Sequence, residues 1–511
     1  MSIITIENLT HANGGKTLYK NASLQVNKGE HVALVGMNGV GKTTLLNIIN
    51  GTLSADNIDL NIHPKIKIGY LDQHQEVNLE LTVLQYLRES YQHLFTREQQ
   101  MEDLYAKMAE EYTEELLNKA MKIQDELTNQ GFDTISKKIG RLVDGLGINV
   151  QLLEQTLGSL SGGQRAKVLL AKLLLNEDDF LLLDEPTNFL DIEQINWLAK
   201  FLQTYPSAFL LVSHDHNFIN MTCNIIFDID NCMITRYVGN FESFLEQKSL
   251  HHRQYESAYT NQKKLIEKLE TYISKNAARA STAKSAESRR KQLAKMDVMD
   301  KQQIQAPPKF YFKYYKTPSS IAVQAEKLEI GYDKPLIKPL TFTIRTGSKW
   351  VVKGYNGIGK TTFLQTLAGN ISAISGKINL GDKMQVAYFH QTEVMSNVTP
   401  FNYLKELDIK LSDGEVRKLL ANFGLRSNLV MKPMNLLSGG EQTKVRLAAL
   451  ALKPCNLLIL DEPTNHIDVL AKDSLLKALQ NFEGTVLITT HDTNFNNSWI
   501  DGVLDFEQLI E

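Results

Sequence analysis

A chain of 511 residues, 43% of them hydrophobic, is too long for one core and predicts at least two domains. Its formal charge of −3 gives no overall attraction to nucleic acid or membranes, so any such contact must use a local patch. The three cysteines show neither metal-ligand spacing nor a disulfide framework, which predicts a protein of the reducing cytoplasm. No signal peptide or membrane span is predicted either.

The first half begins with strand-like runs and a glycine-rich turn. In VALVGMNGVGKTTLL, apolar strand residues lead into the turn, and Lys-Thr-Thr opens an apolar helical run. This is the P-loop pattern, in which backbone N–H groups at the positive end of a helix face phosphates. Lys42 supplies a cation for the β- and γ-phosphates, and Thr43 a hydroxyl ligand for Mg²⁺. The candidate ATP-binding residues of this turn are Gly36, Asn38, Gly39, Gly41, Lys42, Thr43 and Thr44.

A charged segment follows at 96–131, and its apolar residues recur at helical spacing. Leu104 and Met108 illustrate that spacing, and Gly131 suits a C-terminal stop. We predict a helical arm, a two-helix hairpin at about 90–131 that projects from the first domain. A solvated extension without a function would have the same composition.

Three motifs complete the first half. LSGGQ (160–164) opens an apolar helix whose N-terminus forms a second anion site, with Ser161, Gly162, Gly163 and Gln164 as its candidate residues. FLLLDEP is a buried strand run that ends in paired acids. Asp184 fits a Mg²⁺ ligand that acts through water, and Glu185 is placed to polarise the attacking water. His214 ends another apolar run, AFLLVSHD, and we assign it to the γ-phosphate, although a lone histidine there is usually structural.

The second half repeats these motifs in the same order. GMNGVGKTT (36–44) returns as GYNGIGKTT (354–362), and YLDQ (70–73) as YFHQ (388–391), both at an offset of 318 residues. LSGGQ returns as LSGGE (437–441), LLLDEPTN as LILDEPTN and SHD as THD, at an offset of 277. The first copy therefore holds about 41 extra residues, which coincide with the predicted arm. The chain is a duplicated unit.

The second copy carries the corresponding candidate residues. Its ATP-binding residues are Gly354, Asn356, Gly357, Gly359, Lys360, Thr361, Thr362, Ser438, Gly439, Gly440 and Glu441. Thr361 and Asp461 are its metal ligands, and Glu462 and His491 its catalytic residues. Because one ATP pocket needs one P-loop, each LSGG must serve another nucleotide. We therefore predict that the copies pair head to tail, with each ATP between the P-loop of one copy and the LSGG of the other.

Between the copies lies a charged, helix-compatible stretch, 241–273, with a narrow apolar stripe. A first helix of about 30 residues would reach roughly 45 Å. A second helix is predicted over about 284–302, and Pro307-Pro308 end the element. Cations suited to RNA phosphates cluster at the tip and on the second helix: Lys275, Arg279, Lys284, Arg289, Arg290, Lys291 and Lys295. A solvated tether is the alternative.

The doubled motifs, the insertion in the first copy and the basic linker together resemble the F subfamily of ATP-binding-cassette proteins, ABC-F, over the whole chain. The resemblance implies an α/β fold with two tandem P-loop ATP-binding-cassette domains, 1–240 and 307–511. A long α-helical hairpin linker, 241–306, would join them, and a helical arm would be inserted in the first cassette. ATP and Mg²⁺ are the implied cofactors.

The same resemblance implies roles for further residues. Gln73 and Gln391 join the metal and catalytic residues. One site combines Lys42 and Glu185 with Ser438, and the other combines Lys360 and Glu462 with Ser161.

Two positions depart from the family pattern. A histidine usually follows DEPTN; the second copy keeps His466, but the first has Phe189. An aromatic residue that stacks on adenine usually precedes the P-loop. Tyr332 fits in the second copy, whereas the first has a glycine there, which leaves His11 or Tyr19 as substitutes.

The function that the resemblance implies is a cytoplasmic ATPase that binds the ribosome near the tRNA exit (E) site. It would contact 23S rRNA, P-site tRNA and nearby proteins as a monomer with intramolecular cassette pairing. Its linker would act toward the P-site tRNA and peptidyl transferase region, to modulate translation or rescue stalled ribosomes. Antibiotic-resistance ribosome protection is the alternative, although the short linker tip favours the factor role. The rival class is the ATPase subunit of an ABC transporter, which does not account for the arm or the basic linker.

Overall fold

The computed structural model describes residues 2–71, 77–276, 283–296, 307–332, 334–355, 357–390, 397–465, 467–490, 495 and 499–509. Six residues discussed above lie outside these ranges: Gln73, Arg279, Asn356, Gln391, His466 and His491.

The first copy has nine strands among its described residues, arranged in two sheets. Their bounds are β1 Ser2–Asn13, β2 Lys16–Asn27, β3 His31–Gly36, β4 Asn57–Ile62, β5 Ile68–Leu71, β6 Phe180–Asp184, β7 Ala208–Val212, β8 Ile225–Asp230 and β9 Met233–Val238. The larger sheet has the order β5-β6-β7-β3-β8-β9, parallel except for β9, and the smaller antiparallel sheet has the order β2-β1-β4.

Eight α-helices accompany these strands in the described part of the first copy. They are α1 Lys42–Asn50, α2 Val83–Arg88, α3 Gln92–Glu110, α4 Glu114–Asn129, α5 Ile135–Gly145, α6 Gly162–Leu175, α7 Ile192–Gln203 and α8 His216–Thr222.

The linker between the copies contains α9 Phe241–Asn276 and α10 Ala283–Ala294. The second copy repeats the first with strands β10 Ile321–Glu329, β11 Leu340–Arg345, β12 Lys349–Lys353, β13 Ser375–Leu380, β14 Val386–Phe389, β15 Leu457–Asp461, β16 Thr485–Thr489 and β17 Gly502–Asp505. Its helices are α11 Lys360–Leu367, α12 Pro400–Leu407, α13 Asp413–Asn422, α14 Gly439–Leu450 and α15 Val469–Asn481. The order β14-β15-β16-β12-β17 matches that of the five parallel strands, β5-β6-β7-β3-β8, of the larger sheet in the first copy.

Burial explains why FLLLD and AFLLV form neighbouring parallel strands. In β6, Leu181 and Leu183 pack into the core shared with α5, α6 and α7, whereas Phe180 and Leu182 pack into the core shared with α1. Both faces of the sheet are therefore covered, as near-continuous apolar runs require. The carboxyl ends of β3, β6 and β7 meet at one edge, which brings the P-loop, the paired acids and His214 together.

The predicted arm is confirmed as a helical hairpin. Its helices α3 and α4 pack against each other, and Tyr105 donates a hydrogen bond to Gln124 across them at 3.4 Å. Gly131 follows the second helix with a φ of 70°, so it terminates the helix in the left-handed region that glycine favours.

The linker is confirmed as a helical hairpin, with different bounds from those predicted. Its first helix, α9, has 36 residues and spans about 54 Å. The second helix ends at Ala294, where the N–H of Met296 bonds Leu293 O at 3.2 Å in a tightened last turn; residues 297–302 of the predicted helix lie outside the described ranges.

Aromatic packing and an ion pair fix the base of the linker to the first copy. Phe241 and Phe244 are buried in its core. One turn further, Lys248 Nζ lies 2.5 Å from Oδ2 of Asp228, whose side chain is 3% exposed at the centre of β8. Burial raises the pKa of the Asp228 carboxyl, and Lys248 opposes that rise.

Within the described residues, no helix combines the length and the apolar character that a membrane crossing requires.

We expect Lys248→Met to destabilise the first copy by about 2 kcal/mol, because it leaves a buried carboxylate without its cation. Calorimetric unfolding measures the effect, and Asp228→Asn in the same chain should restore part of it. Lys263→Met, which removes an exposed cation from the same helix, is the matched control. Equal stability of the two single variants would show that the buried pair does not anchor the linker.

Candidate nucleotide-binding sites

The two glycine-rich turns have the P-loop conformation at the start of α1 and α11. Gly41 and Gly359 cap these helices with φ of 112° and 110°. At Gly41, an added Cβ would also lie 2.8 Å from the hydroxyl oxygen of Tyr19. Glycine is therefore required here both for its backbone conformation and for the close packing.

The P-loop lysines lie inside the turns that they serve. Lys42 is 8% exposed, and its ammonium donates to Gly36 O at 2.9 Å. Lys360 is similarly buried and donates to Gly354 O. Burial lowers the pKa of both ammonium groups, and nearby carboxylates, chiefly Glu185 and Glu462 respectively, oppose the change. Each cation is thus held where a phosphate chain over the turn would meet it.

Each P-loop threonine faces the acid at the end of the neighbouring strand. Thr43 Oγ1 donates to Asp184 Oδ2 at 2.7 Å. In the second copy, Asp461 accepts from Thr489 at 2.8 Å and from Thr361. Burial raises the pKa of Asp461, and these hydrogen bonds oppose the rise. A hydroxyl beside a carboxylate is the hard-oxygen donor pair that suits Mg²⁺, so the residues present fit this metal.

Both candidate catalytic glutamates have a backbone conformation that sequence analysis missed. Glu185 and Glu462 each have a φ of 48°, in the left-handed region that non-glycine residues rarely adopt. The backbone N–H of Glu185 bonds Val212 O, and that of Glu462 bonds Thr489 O, so the neighbouring strand holds each residue in place. Strain repeated at the same position of two copies is typical of a functional site.

His214 lies beside Glu185, as the motif order predicts. Its Nε2 is 3.4 Å from Glu185 Oε1. Burial raises the pKa of the Glu185 carboxyl, and the Lys42 ammonium opposes the rise. The strand tips therefore gather a carboxyl, an imidazole and an ammonium around one phosphate position.

The two LSGG motifs each begin a helix through a capping box. Ser161 Oγ accepts from the N–H of Gln164 at 3.3 Å, and Gln164 Oε1 accepts from the N–H of Ser161 at 3.0 Å. Ser438 and Glu441 make the same exchange at the start of α14. Both helices thus present ordered N-termini, with the glycines of each motif in the first turn.

One cavity of about 1900 Å³ contains both nucleotide sites and is lined by both copies. Glu441 Oε1 lies 3.8 Å from the point where a Cβ on Gly39 would stand, so the second LSGGE motif faces the first P-loop. Asp468 of the second copy lies within electrostatic reach of Lys42, and Asp191 of the first copy within reach of Lys360. This is the head-to-tail arrangement that the two anion sites of each copy predict.

The adenine-stacking candidates of the first copy are not available for stacking. Tyr19 is fully buried, and its hydroxyl donates to Gly41 O at 2.7 Å beneath the P-loop. His11 is 7% exposed. Leu18, the residue before Tyr19, lines the cavity instead. In the second copy, Tyr332 lines the cavity and is 70% exposed, which suits a stacking face.

Sequence analysis missed two polar residues of the cavity. Lys16 donates through Nζ to Gly39 O of the P-loop. Its counterpart at the 318-residue offset is Lys334, so the repeat held a signal for it. Lys472, from the second copy, approaches His214 O at 3.5 Å, and no repeated motif indicated it.

The linker cations divide into exposed and engaged residues. Lys275, Lys284, Arg290, Lys291 and Lys295 are exposed. Arg289 is half-buried, and its guanidinium carbon lies 3.8 Å from the ring centroid of Tyr272 on α9. This contact holds the hairpin together, so the structure gives Arg289 a packing role beside its predicted RNA contact.

Two P-loops and two LSGG helices that line one cavity, with a carboxyl of each copy within reach of the P-loop lysine of the other, define the ATP-binding-cassette class. The family model described as ABC transporter matches residues 19–188 and 337–465, and a companion model with the same description matches 227–312. The chain therefore belongs to the ATP-binding-cassette proteins, and within them to the F subfamily, ABC-F; it is an ATPase.

Similar proteins cover the whole chain. "Uncharacterized ABC transporter ATP-binding protein YfmM" of Bacillus subtilis is 40% identical over 97% of this chain and 96% of its own length. "ATP-binding protein Uup" of Haemophilus influenzae is 32% identical over 97% of this chain and 77% of its own. Among solved structures, "Model of ribosome-bound archaeal Pelota and ABCE1" has a TM-score of 0.60 at 20% identity, over 97% of this chain and 75% of that chain. That likeness supports the fold.

The composite sites make a reciprocal prediction. Ser438→Arg should abolish ATP occupancy at the Lys42 site, and Ser161→Arg at the Lys360 site, because each arginine would occupy the space of the opposite γ-phosphate. Photo-crosslinking of an azido-ATP, followed by peptide mapping, measures occupancy at each P-loop. The two variants are matched controls, since each removes one helix cap at about 1 kcal/mol. Loss in the P-loop of the mutated copy would contradict the pairing.

Proposed function

We propose that this ATPase binds the ribosome near the tRNA exit (E) site and uses its linker to act on the P-site tRNA and peptidyl transferase region. The action would modulate translation or rescue stalled ribosomes. The observation that carries this proposal is the linker itself. It is a helical hairpin whose first helix is about 54 Å long, whose base packs against the first cassette, and whose tip and second helix carry exposed cations.

In the proposed cycle, ATP in both sites holds the cassettes closed, and hydrolysis releases the protein. The residues that would hold Mg²⁺ are Thr43 with Asp184 and Thr361 with Asp461, with Gln73 and Gln391 as further ligands. The metal would neutralise phosphate charge. Glu185 and Glu462 would activate water, and His214 and His491 would contact the γ-phosphate.

A direct contact joins the first site to the linker. His216, two residues after His214, stacks on Phe241 with ring centroids 4.1 Å apart and an interplanar angle of 27°. Phe241 is the first residue of α9. A movement of the His214 loop on nucleotide binding would therefore be passed to the base of the linker, which the Lys248–Asp228 pair holds to the same cassette.

The exposed cations of the hairpin would meet the phosphates of rRNA or tRNA. Lys284, Lys291 and Lys295 lie on or directly after α10, where small residues such as Ser285 allow close approach of the backbone to a surface. Such contacts contribute to binding affinity but add little specificity for the nucleotide sequence of the RNA. The proposed partners are 23S rRNA, P-site tRNA and proteins near the E site, in the cytoplasm, with the protein as a monomer. The proposed domains are 1–240, 241–306 and 307–511.

Ribosome protection from antibiotics would use the same contacts and stays an alternative within this proposal. A transporter subunit would instead accompany a membrane protein. Fractionation of cells that express the tagged protein separates the two classes: recovery with ribosomes supports the proposal, and recovery only with membranes would refute it.

The glutamates generate the first functional prediction. Glu185→Gln with Glu462→Gln should retain ATP binding but lower ATP turnover at least about 100-fold, because the phosphate and metal ligands remain while water activation is lost. We expect this variant to co-sediment with ribosomes in ATP and to inhibit translation in a cell-free system. Each single variant serves as the control. Rapid turnover by the double variant would remove both residues from this role.

The second functional prediction concerns the exposed cations of the linker. Lys284, Lys291 and Lys295 changed together to Gln should weaken ribosome binding while ribosome-free ATPase activity persists. Ribosome affinity should also depend less steeply on salt. The slope of log affinity against log salt concentration should become less negative by about 2, because fewer counterions are released on binding.

The matched control for this experiment changes Lys377, Lys410 and Lys418, exposed residues of the second cassette, to Gln. Equal affinities and slopes for wild type and the linker variant would show that the linker is only a tether.

A further inference from the structure

Lys472 has no part in the roles assigned above, although it lines the shared cavity. It belongs to α15, the helix that follows the second DEPTN segment, and its side chain is half-buried. Its Nζ lies 3.5 Å from the carbonyl oxygen of His214, in the first cassette. The second cassette thus reaches the loop beyond β7 through a residue outside its LSGGE motif.

The contacted loop holds catalytic groups of the first site. The imidazole of His214 lies 3.4 Å from Glu185, and the Lys472 ammonium is itself within electrostatic reach of that glutamate. On the far side of the loop, Asp215 Oδ1 accepts from the N–H groups of Asn217 and Phe218 at 2.9 and 3.1 Å. The first cassette therefore holds one side of the loop by itself, and Lys472 adds a restraint on the other side when the cassettes are together.

The two sites differ at this position. The 277-residue offset places Ile195 opposite Lys472. Ile195 also lines the cavity, but it packs against the apolar core of the first cassette and has no polar hydrogen to donate. An ammonium at this position therefore serves the site that contains Lys42, and the repeat supplies no equivalent for the site that contains Lys360.

We propose that Lys472 is a positioning residue for ATP hydrolysis at the Lys42 site, where it orients the His214 loop from the opposite cassette. The site becomes competent for hydrolysis when closure brings Lys472 to the loop, and the Lys360 site closes without this contact. This inference rests on the proposed composite sites but requires no ribosome.

The test measures steady-state ATPase activity of the full chain without ribosomes. In a Glu462→Gln background, which confines hydrolysis to the Lys42 site, Lys472→Met should lower kcat about tenfold and leave KM nearly unchanged. The reason is that misplacement of a catalytic loop affects the transition state more than ATP binding. Lys472→Arg, which keeps a cationic donor, should restore most of the rate.

Two controls test whether the loss of kcat arises at the Lys42 site. In a Glu185→Gln background, which confines hydrolysis to the Lys360 site, Lys472→Met should change kcat less than about twofold. Lys477→Met, which removes an exposed cation from the same helix outside the cavity, should leave the rate of the wild-type chain unaltered.

Each other outcome would overturn the proposal. An unchanged kcat would show that the contact has no catalytic effect, and equal losses in both backgrounds would assign Lys472 to cassette closure in general. Failure of arginine to restore the rate would exclude a cationic donor as the cause. Full wild-type rates in both glutamine backgrounds would instead refute the glutamate assignment. The comparison of Lys472→Met with Lys477→Met in the wild-type chain would then decide on Lys472 alone.

Discussion

A P-loop encloses a phosphate chain from one side only, and the structure depends on how the other side is closed. Backbone N–H groups at the start of α1, together with buried Lys42, provide one half of an anion site. The second half comes from another helix N-terminus, which must not belong to the same cassette. Duplication in one chain meets this requirement twice, since each LSGG helix can face the P-loop of the other copy within one cavity.

This arrangement brings together groups whose burial or backbone conformation is unfavourable in folding free energy. The two P-loop lysines, Asp461 and Glu462 are buried, and both catalytic glutamates occupy the left-handed backbone region. The parallel sheets offset this unfavourable free energy, because apolar strands such as β6 and β7 are buried on both faces. The site lies at the carboxyl ends of these strands. A rigid support keeps the glutamate, the histidine and the P-loop lysine of the first site close together.

The linker is attached to the first site more directly than to the second. Its first residue stacks on His216, and its second turn is paired with a buried aspartate on β8, the strand beside the P-loop strand. Lys472 adds a contact to the same loop from the opposite cassette. One short segment therefore touches the proposed γ-phosphate site, the partner cassette and the first helix of the linker hairpin. Because the motifs repeat in the same order in both copies, they do not indicate that the first site contacts the linker more directly than the second.

The sequence by itself determined the duplication, the motifs, the helical arm and the helical character of the linker. Each of these features is indicated by residues that are close together in the sequence: glycines at fixed spacing, apolar runs of strand length, and charges at helical intervals. Even the pairing of the copies followed from the number of anion sites. What only the tertiary structure decided depends on residues far apart in the chain. The tertiary structure buries Tyr19 beneath Gly41, turns Arg289 onto Tyr272 and brings Lys472 to His214. Local spacing carries no information on such contacts, because they form only where independently folded elements meet and their side chains compete for the same space.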